Sequence, residues 1–96
     1  MRLIAFSAII FTVKMKHRRT LEAVFAAPAR GGIVFSDIES LVVSLGGEVR
    51  EGAGSRVVFE IKGKREYLHC PHPGKEAKKY QVEAVRSFLQ FLEVMP

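Results

Sequence analysis

The chain has 96 residues, with 15 Lys and Arg against 10 Asp and Glu, a formal net charge of +5 and a pI near 9.7. Globular domains cluster at about 100–150 residues, so this length holds one domain and excludes an enzyme built from a nucleotide-binding half and a substrate half. A composition of 48% hydrophobic and 26% charged residues excludes wholesale disorder, and the single Cys70 excludes an internal disulfide framework or a Cys-rich zinc site.

The chain opens with an almost wholly apolar stretch, residues 1–14. Its eleven-residue run, 3–13, is short of the roughly 20 residues of a membrane span. The positive charges Lys14, Lys16, Arg18 and Arg19 follow the run rather than precede it, which is the wrong polarity for a cleaved signal. Two readings stay open: an extra strand or apolar flap, and an upstream extension of a shorter protein that starts at Met15. The working domain is expected over residues 15–96.

A first short helix is predicted over 17–26, where Leu21, Val24 and Phe25 make one apolar stripe and Pro28 then stops the helix. A second is predicted over 37–45. Ser36 and Glu39 have capping-box spacing, Ile38, Leu41, Val42 and Leu45 share one face, and Gly46-Gly47 supplies a left-handed stop. Strands are predicted over 48–51, 56–62 and 65–70. In the second, Val57, Phe59 and Ile61 point one way and Arg56, Glu60 and Lys62 the other. Gly63-Lys64 reads as a two-residue hairpin loop. In the third strand Arg65, Tyr67 and His69 share one side and Leu68 and Cys70 the other, before Pro71 and Pro73 end the ladder. A last helix is predicted over 78–92, with Val82, Val85, Leu89 and Leu92 as its stripe. The expected architecture is α+β, a three-stranded antiparallel sheet covered on one face by two helices, with a small extra helix in front. The other sheet face stays open and carries Arg56, Glu60, Lys62, Tyr67 and His69.

Chemistry concentrates near the third strand. His69 and His72, three apart at a strand end, fit an acid/base site, a metal site or a plain exposed pair. No acidic or cysteine cluster at ligand spacing supports a metal. Cys70 reads as a small core residue rather than a nucleophile, and the glycine-rich segment 52–55 as a turn rather than a phosphate cradle, since no helix follows it. The basic balance points to an anionic partner, with nucleic acid first. Lys75, Lys78 and Lys79 cluster at the start of the last helix, where they oppose the helix macrodipole. Cations placed against the dipole fit a phosphate backbone as partner.

Several stretches together resemble a known family. They are the Gly46-Gly47 helix stop, Gly54-Ser55-Arg56-Val57-Val58-Phe59, His72-Pro73-Gly74-Lys75-Glu76, and Val85-Arg86-Ser87-Phe88-Leu89. Over residues 36–91 the chain resembles the HicA family of bacterial type II toxin–antitoxin systems, and the segment at His72 is the most specific part. The resemblance implies a double-stranded-RNA-binding-domain-like fold, α-β-β-β-α. It implies a metal-independent ribonuclease, without cofactor, that cleaves mRNA in the cytoplasm and is masked by a HicB-type antitoxin. The family pattern places its catalytic histidine directly after the Gly-Ser pair, where this chain has Arg56. Arginine stays protonated and cannot act as a general base, though it can bind phosphate or stabilise developing charge. His69 or His72 is then the candidate acid/base residue of a divergent branch. Ser55, Lys62, Lys64, Lys75, Lys78 and Lys79 are the expected RNA contacts. A catalytically inactive RNA-binding module of the same fold, and a protein-interaction module, remain as alternatives.

Overall fold

A computed structural model describes residues 14–96. The apolar run expected as a flap or extension falls at residues 1–13, outside the described residues. The element order is α1 (Met15–Phe25), α2 (Phe35–Ser44), β1 (Glu48–Glu51), β2 (Arg56–Ile61), β3 (Lys64–His69) and α3 (Lys79–Phe91). The strands form one antiparallel sheet in the order β1-β2-β3. Helix α2 packs on β1 and β2, helix α3 packs on β3, and α1 lies against α2 and α3 as an outer layer. This is the α-β-β-β-α order of a double-stranded-RNA-binding-domain-like fold with an added first helix.

Alternation in β2 turns Val57, Phe59 and Ile61 into the core, where Phe59 is fully buried in one cluster with Ile38, Leu41 and Val42 of α2 and Val82, Val85 and Leu89 of α3. The Phe59 ring stacks on Phe35, with centroids 5.8 Å apart. Each such side chain contributes about 1.5–3 kcal/mol when it leaves water. Leu21 and Val24 bury α1 against the two helices beneath it. The Arg86 guanidinium of α3 closes that layer by donating to the last carbonyls of α1, from Nε to Val24 O at 2.9 Å and from Nη2 to Ala26 O at 2.7 Å. Arg86 thereby satisfies acceptors that a helix end leaves open.

Three local expectations change. The capping box at Ser36 and Glu39 does not form: α2 starts at Phe35, two residues earlier than expected, with Val34 as N-cap and no side-chain cap. A distant segment replaces the cap. Val34 forms a β-bridge with Glu76, the Phe35 N–H donates to Lys75 O at 2.9 Å, and the Ala77 N–H donates to Ile33 O at 2.7 Å. The hairpin loop is Lys62-Gly63 rather than Gly63-Lys64, because the tight turn needs positive φ at both central residues and these two supply 51° and 79°. Lys64 therefore pairs with Ile61 and begins β3. Cys70 is exposed rather than core: the strand ends at His69, alternation stops there, and Pro71 takes the buried position.

Candidate functional site

The Lys62-Gly63 turn sets the register of the hairpin. Counting back from Ile61 opposite Lys64, each pair follows in turn until Arg56, the first residue of β2, stands opposite His69, the last of β3. Directly opposed residues share a face, so Arg56 and His69 lie side by side on the open side of the sheet. Both are exposed. Ser55, one residue before β2, places its Oγ 3.3 Å from His69 Nδ1. Its carbonyl accepts the Cys70 N–H at 2.7 Å, which continues the ladder one step past the strand.

A buried glutamine holds the other side of this strand end. Gln81, 1% exposed, donates from Nε2 to the His69 carbonyl at 2.6 Å and accepts the Lys78 N–H on Oε1 at 2.9 Å. Its amide thus ties the start of α3 to the end of β3, and both of its ends are used, as burial of an amide requires. Sequence reasoning missed Gln81. The available signal was its position four residues before Val85, on the apolar stripe of α3, where a polar residue must find partners inside.

Charge is uneven along the open face. Glu60 accepts Arg50 at 2.8 Å and Arg65 at 3.3 Å, and Arg50 also reaches Glu48 at 2.9 Å. Solvent-exposed pairs of this kind add little stability, but they neutralise the middle of the face. The Arg65 guanidinium sits against the Tyr67 hydroxyl and Glu60. These hold its pKa above the ordinary arginine value, Tyr67 contributing most. Arg56, by contrast, has no carboxylate partner among the described residues. Arg56 and His69 share a shallow depression of about 170 Å³ with Val57, Tyr67 and Leu68. Arg56 brings permanent charge and His69 a titratable ring; together they can hold a phosphate and move a proton.

The other expected residues fall into two groups. His72, Lys75 and Lys78 line a second depression, of about 390 Å³, in the loop between β3 and α3. That loop is fixed at its far end by the Val34–Glu76 bridge. Lys79 is the exposed first residue of α3. Lys64 begins β3 five residue steps from His69, about 17 Å at the usual strand rise, and Lys62 lies one step further on in the turn. Lys64 places its Nζ 4.4 Å above the Phe91 ring. Among the described residues, no group of three or more His, Cys, Asp or Glu is placed to hold a metal ion, and no helix is long and apolar enough to cross a membrane.

Another surface groove, of about 640 Å³, lies between α1, α2 and β1. Glu39 lines it, and its pKa is raised above the ordinary 4.5, first by burial and then by the nearby Glu51 carboxylate. A carboxyl whose folded pKa is raised binds its proton more tightly in the folded state. Its stabilising effect is complete below the unfolded pKa and is lost as pH rises through the folded value. Glu39→Gln is therefore expected to raise the urea midpoint at pH 7, and the advantage over the parent should shrink as the pH falls toward 4.5. Urea titrations at the two pH values measure it.

A family model described as HicA toxin of bacterial toxin-antitoxin matches residues 35–90 of the chain, from the first residue of α2 into the last turn of α3. The match includes the strand-end pair, the loop with His72 and the buried Gln81. No curated protein and no solved structure matches the chain.

Proposed function

The chain belongs to the HicA toxin family, the toxin side of bacterial toxin–antitoxin pairs, and on that footing we propose that it is an mRNA-cleaving ribonuclease that halts translation in the cytoplasm. The observation that carries this reading is the cross-strand pair of Arg56 and His69 on the open face, with Ser55 on His69 Nδ1. When Ser55 Oγ accepts from Nδ1–H, the lone pair of the ring lies on Nε2. That nitrogen takes the proton from a ribose 2′-hydroxyl. The 2′-oxygen attacks the adjacent phosphorus, the bond from phosphorus to the 5′-oxygen breaks, and the departing oxygen takes a proton from water. Arg56 neutralises the charge that builds on the phosphoryl oxygens, where preorganised donors act most strongly. The products are a 2′,3′-cyclic phosphate and a 5′-hydroxyl, and no metal or cofactor takes part in the step.

In this reading His69 and not His72 is the base, because Ser55 orients its ring and Arg56 stands beside it. His72, Lys75, Lys78 and Lys79 hold flanking phosphates, and Lys62 extends the basic track at the far end of the hairpin, whereas Lys64, opposite Ile61, leans to the helix side over Phe91. The functional unit is residues 15–96, and a HicB-type antitoxin silences it by covering the open face.

The test is incubation of the purified protein with end-labelled mRNA in EDTA. Fragments ending in a 2′,3′-cyclic phosphate are expected, and expression without the antitoxin should arrest growth. Salt-dependent RNA binding with no fragments would instead select the inactive RNA-binding module.

A further inference from the structure

The open face carries one aromatic group that the reaction above does not use. Tyr67 is 66% exposed. It stands opposite the half-buried Val58, one pleat from the Arg56–His69 pair, about 7 Å along the strand. It lines the same depression as Arg56 and His69. A large ring left this open on a sheet face gains nothing for the core.

We infer that Tyr67 is a stacking platform for one unpaired base beside the phosphate held by Arg56, and that the substrate is therefore single-stranded RNA. This rests on the ribonuclease reading for the identity of the polymer, and the inference adds the state of that polymer. Two features of the face support it. Directly opposite the ring stands the apolar Val58, so a base lying across Tyr67 and Val58 meets no ion there. The aromatic group and the phosphate-binding cation are neighbours in one depression, which matches a nucleotide whose base and phosphate are both engaged.

The chemistry demands the same thing. Attack by a 2′-oxygen needs that oxygen in line with the departing 5′-oxygen, and a regular A-form helix does not present that alignment. A duplex also keeps its bases stacked inside and offers a protein mainly its shape and its 2′-hydroxyls. A nucleotide must be splayed out of its stack before it can react, and Tyr67 replaces the stacking that it loses. The fold has the outline of a duplex binder, but this face has the furniture of a single-strand binder.

The test separates binding from cleavage. The probe is a short RNA methylated at every 2′-oxygen, which blocks the nucleophile, and carrying 2-aminopurine, whose fluorescence is quenched by stacking. The full chain should quench the single-stranded probe and bind it more tightly than the same sequence annealed to its complement. Tyr67→Ala should lose the quench and weaken binding about tenfold or more, as expected for the loss of one stacked base. Tyr67→Phe should keep both. Circular dichroism shows that each variant is folded, which an exposed position permits. Equal affinity for duplex and single strand, or an unchanged quench in Tyr67→Ala, would overturn the inference. So would loss of antitoxin affinity in Tyr67→Ala with RNA binding intact. Because the probe cannot be cut, stacking without any nuclease activity on ordinary RNA would sink the ribonuclease reading and leave this one standing.

Discussion

Replacing His69 with alanine is expected to slow RNA cleavage by about 10²–10⁴-fold, the range that a positioned acid/base group supplies. The loss should fall on kcat, because the imidazole acts in the transition state and contributes little to holding the substrate. Arg56 cannot compensate, since its guanidinium never deprotonates in water. His72→Ala should behave differently. His72 lines the neighbouring depression with Lys75 and Lys78, so its loss should raise KM and leave kcat within a few-fold of the parent. Ser55→Ala falls between them: it removes the partner 3.3 Å from Nδ1 and leaves the ring in place but no longer oriented. Single-turnover cleavage of a defined RNA separates these outcomes. If His72→Ala lost the rate and His69→Ala kept it, the base would have been assigned to the wrong histidine.

Gly47→Ala is expected to cost about 3 kcal/mol or more. A Cβ at this position would lie 2.6 Å from Ile61 Cγ1, 2.8 Å from Glu60 O and 2.9 Å from Val42 Cγ1. None of these can move cheaply. Glu60 O belongs to the backbone of β2, and Ile61 and Val42 are buried. Overpacking a tight core costs about 1–3 kcal/mol even where only side chains must shift, and here a strand must shift too. For a domain of this size that lowers the melting temperature by roughly 12–24 °C. Gly46→Ala should be milder. Gly46 sits at φ +86° with open space around its Cβ position, so the cost there is backbone strain of about 1–2 kcal/mol. The Gly46-Gly47 pair thus divides its duties: the first turns the chain and the second lets β2 approach. Thermal unfolding of the two variants checks the order.

What the sequence discloses follows from how local each cause is. The alternation of Val57, Phe59 and Ile61 and the stripe of Val82, Val85 and Leu89 are periodic, so the sheet, its buried face and the last helix are legible from spacing. That Arg56 and His69 share the open face follows from the same alternation, but their direct pairing does not, because a turn at Gly63-Lys64 would set Arg56 opposite Pro71. The start of α2 was not legible, because its cap is the Lys75 carbonyl, 40 residues away in a loop. The hairpin turn was misplaced by one residue because Lys62 accepts a left-handed conformation that its side chain does not advertise. Gln81 escaped for a similar reason. A glutamine near a helix start looks like surface, and only the fold reveals that the His69 carbonyl lies within its reach. The ring orientation supplied by Ser55 also needed the geometry, since the two residues are fourteen apart.

The tight turn at Lys62-Gly63 has a consequence for how such a protein can vary. The strand-end pair is counted out from that turn, and one residue more or fewer there would slip the register. Every side chain of β3 would then trade faces, with His69 toward the helices and Leu68 in water. The hairpin is a ruler, and a ruler cannot be stretched. Insertions and deletions among relatives should therefore collect in the linker of residues 26–34, between α1 and α2, and leave the eight residues from Glu60 to Tyr67 at constant length.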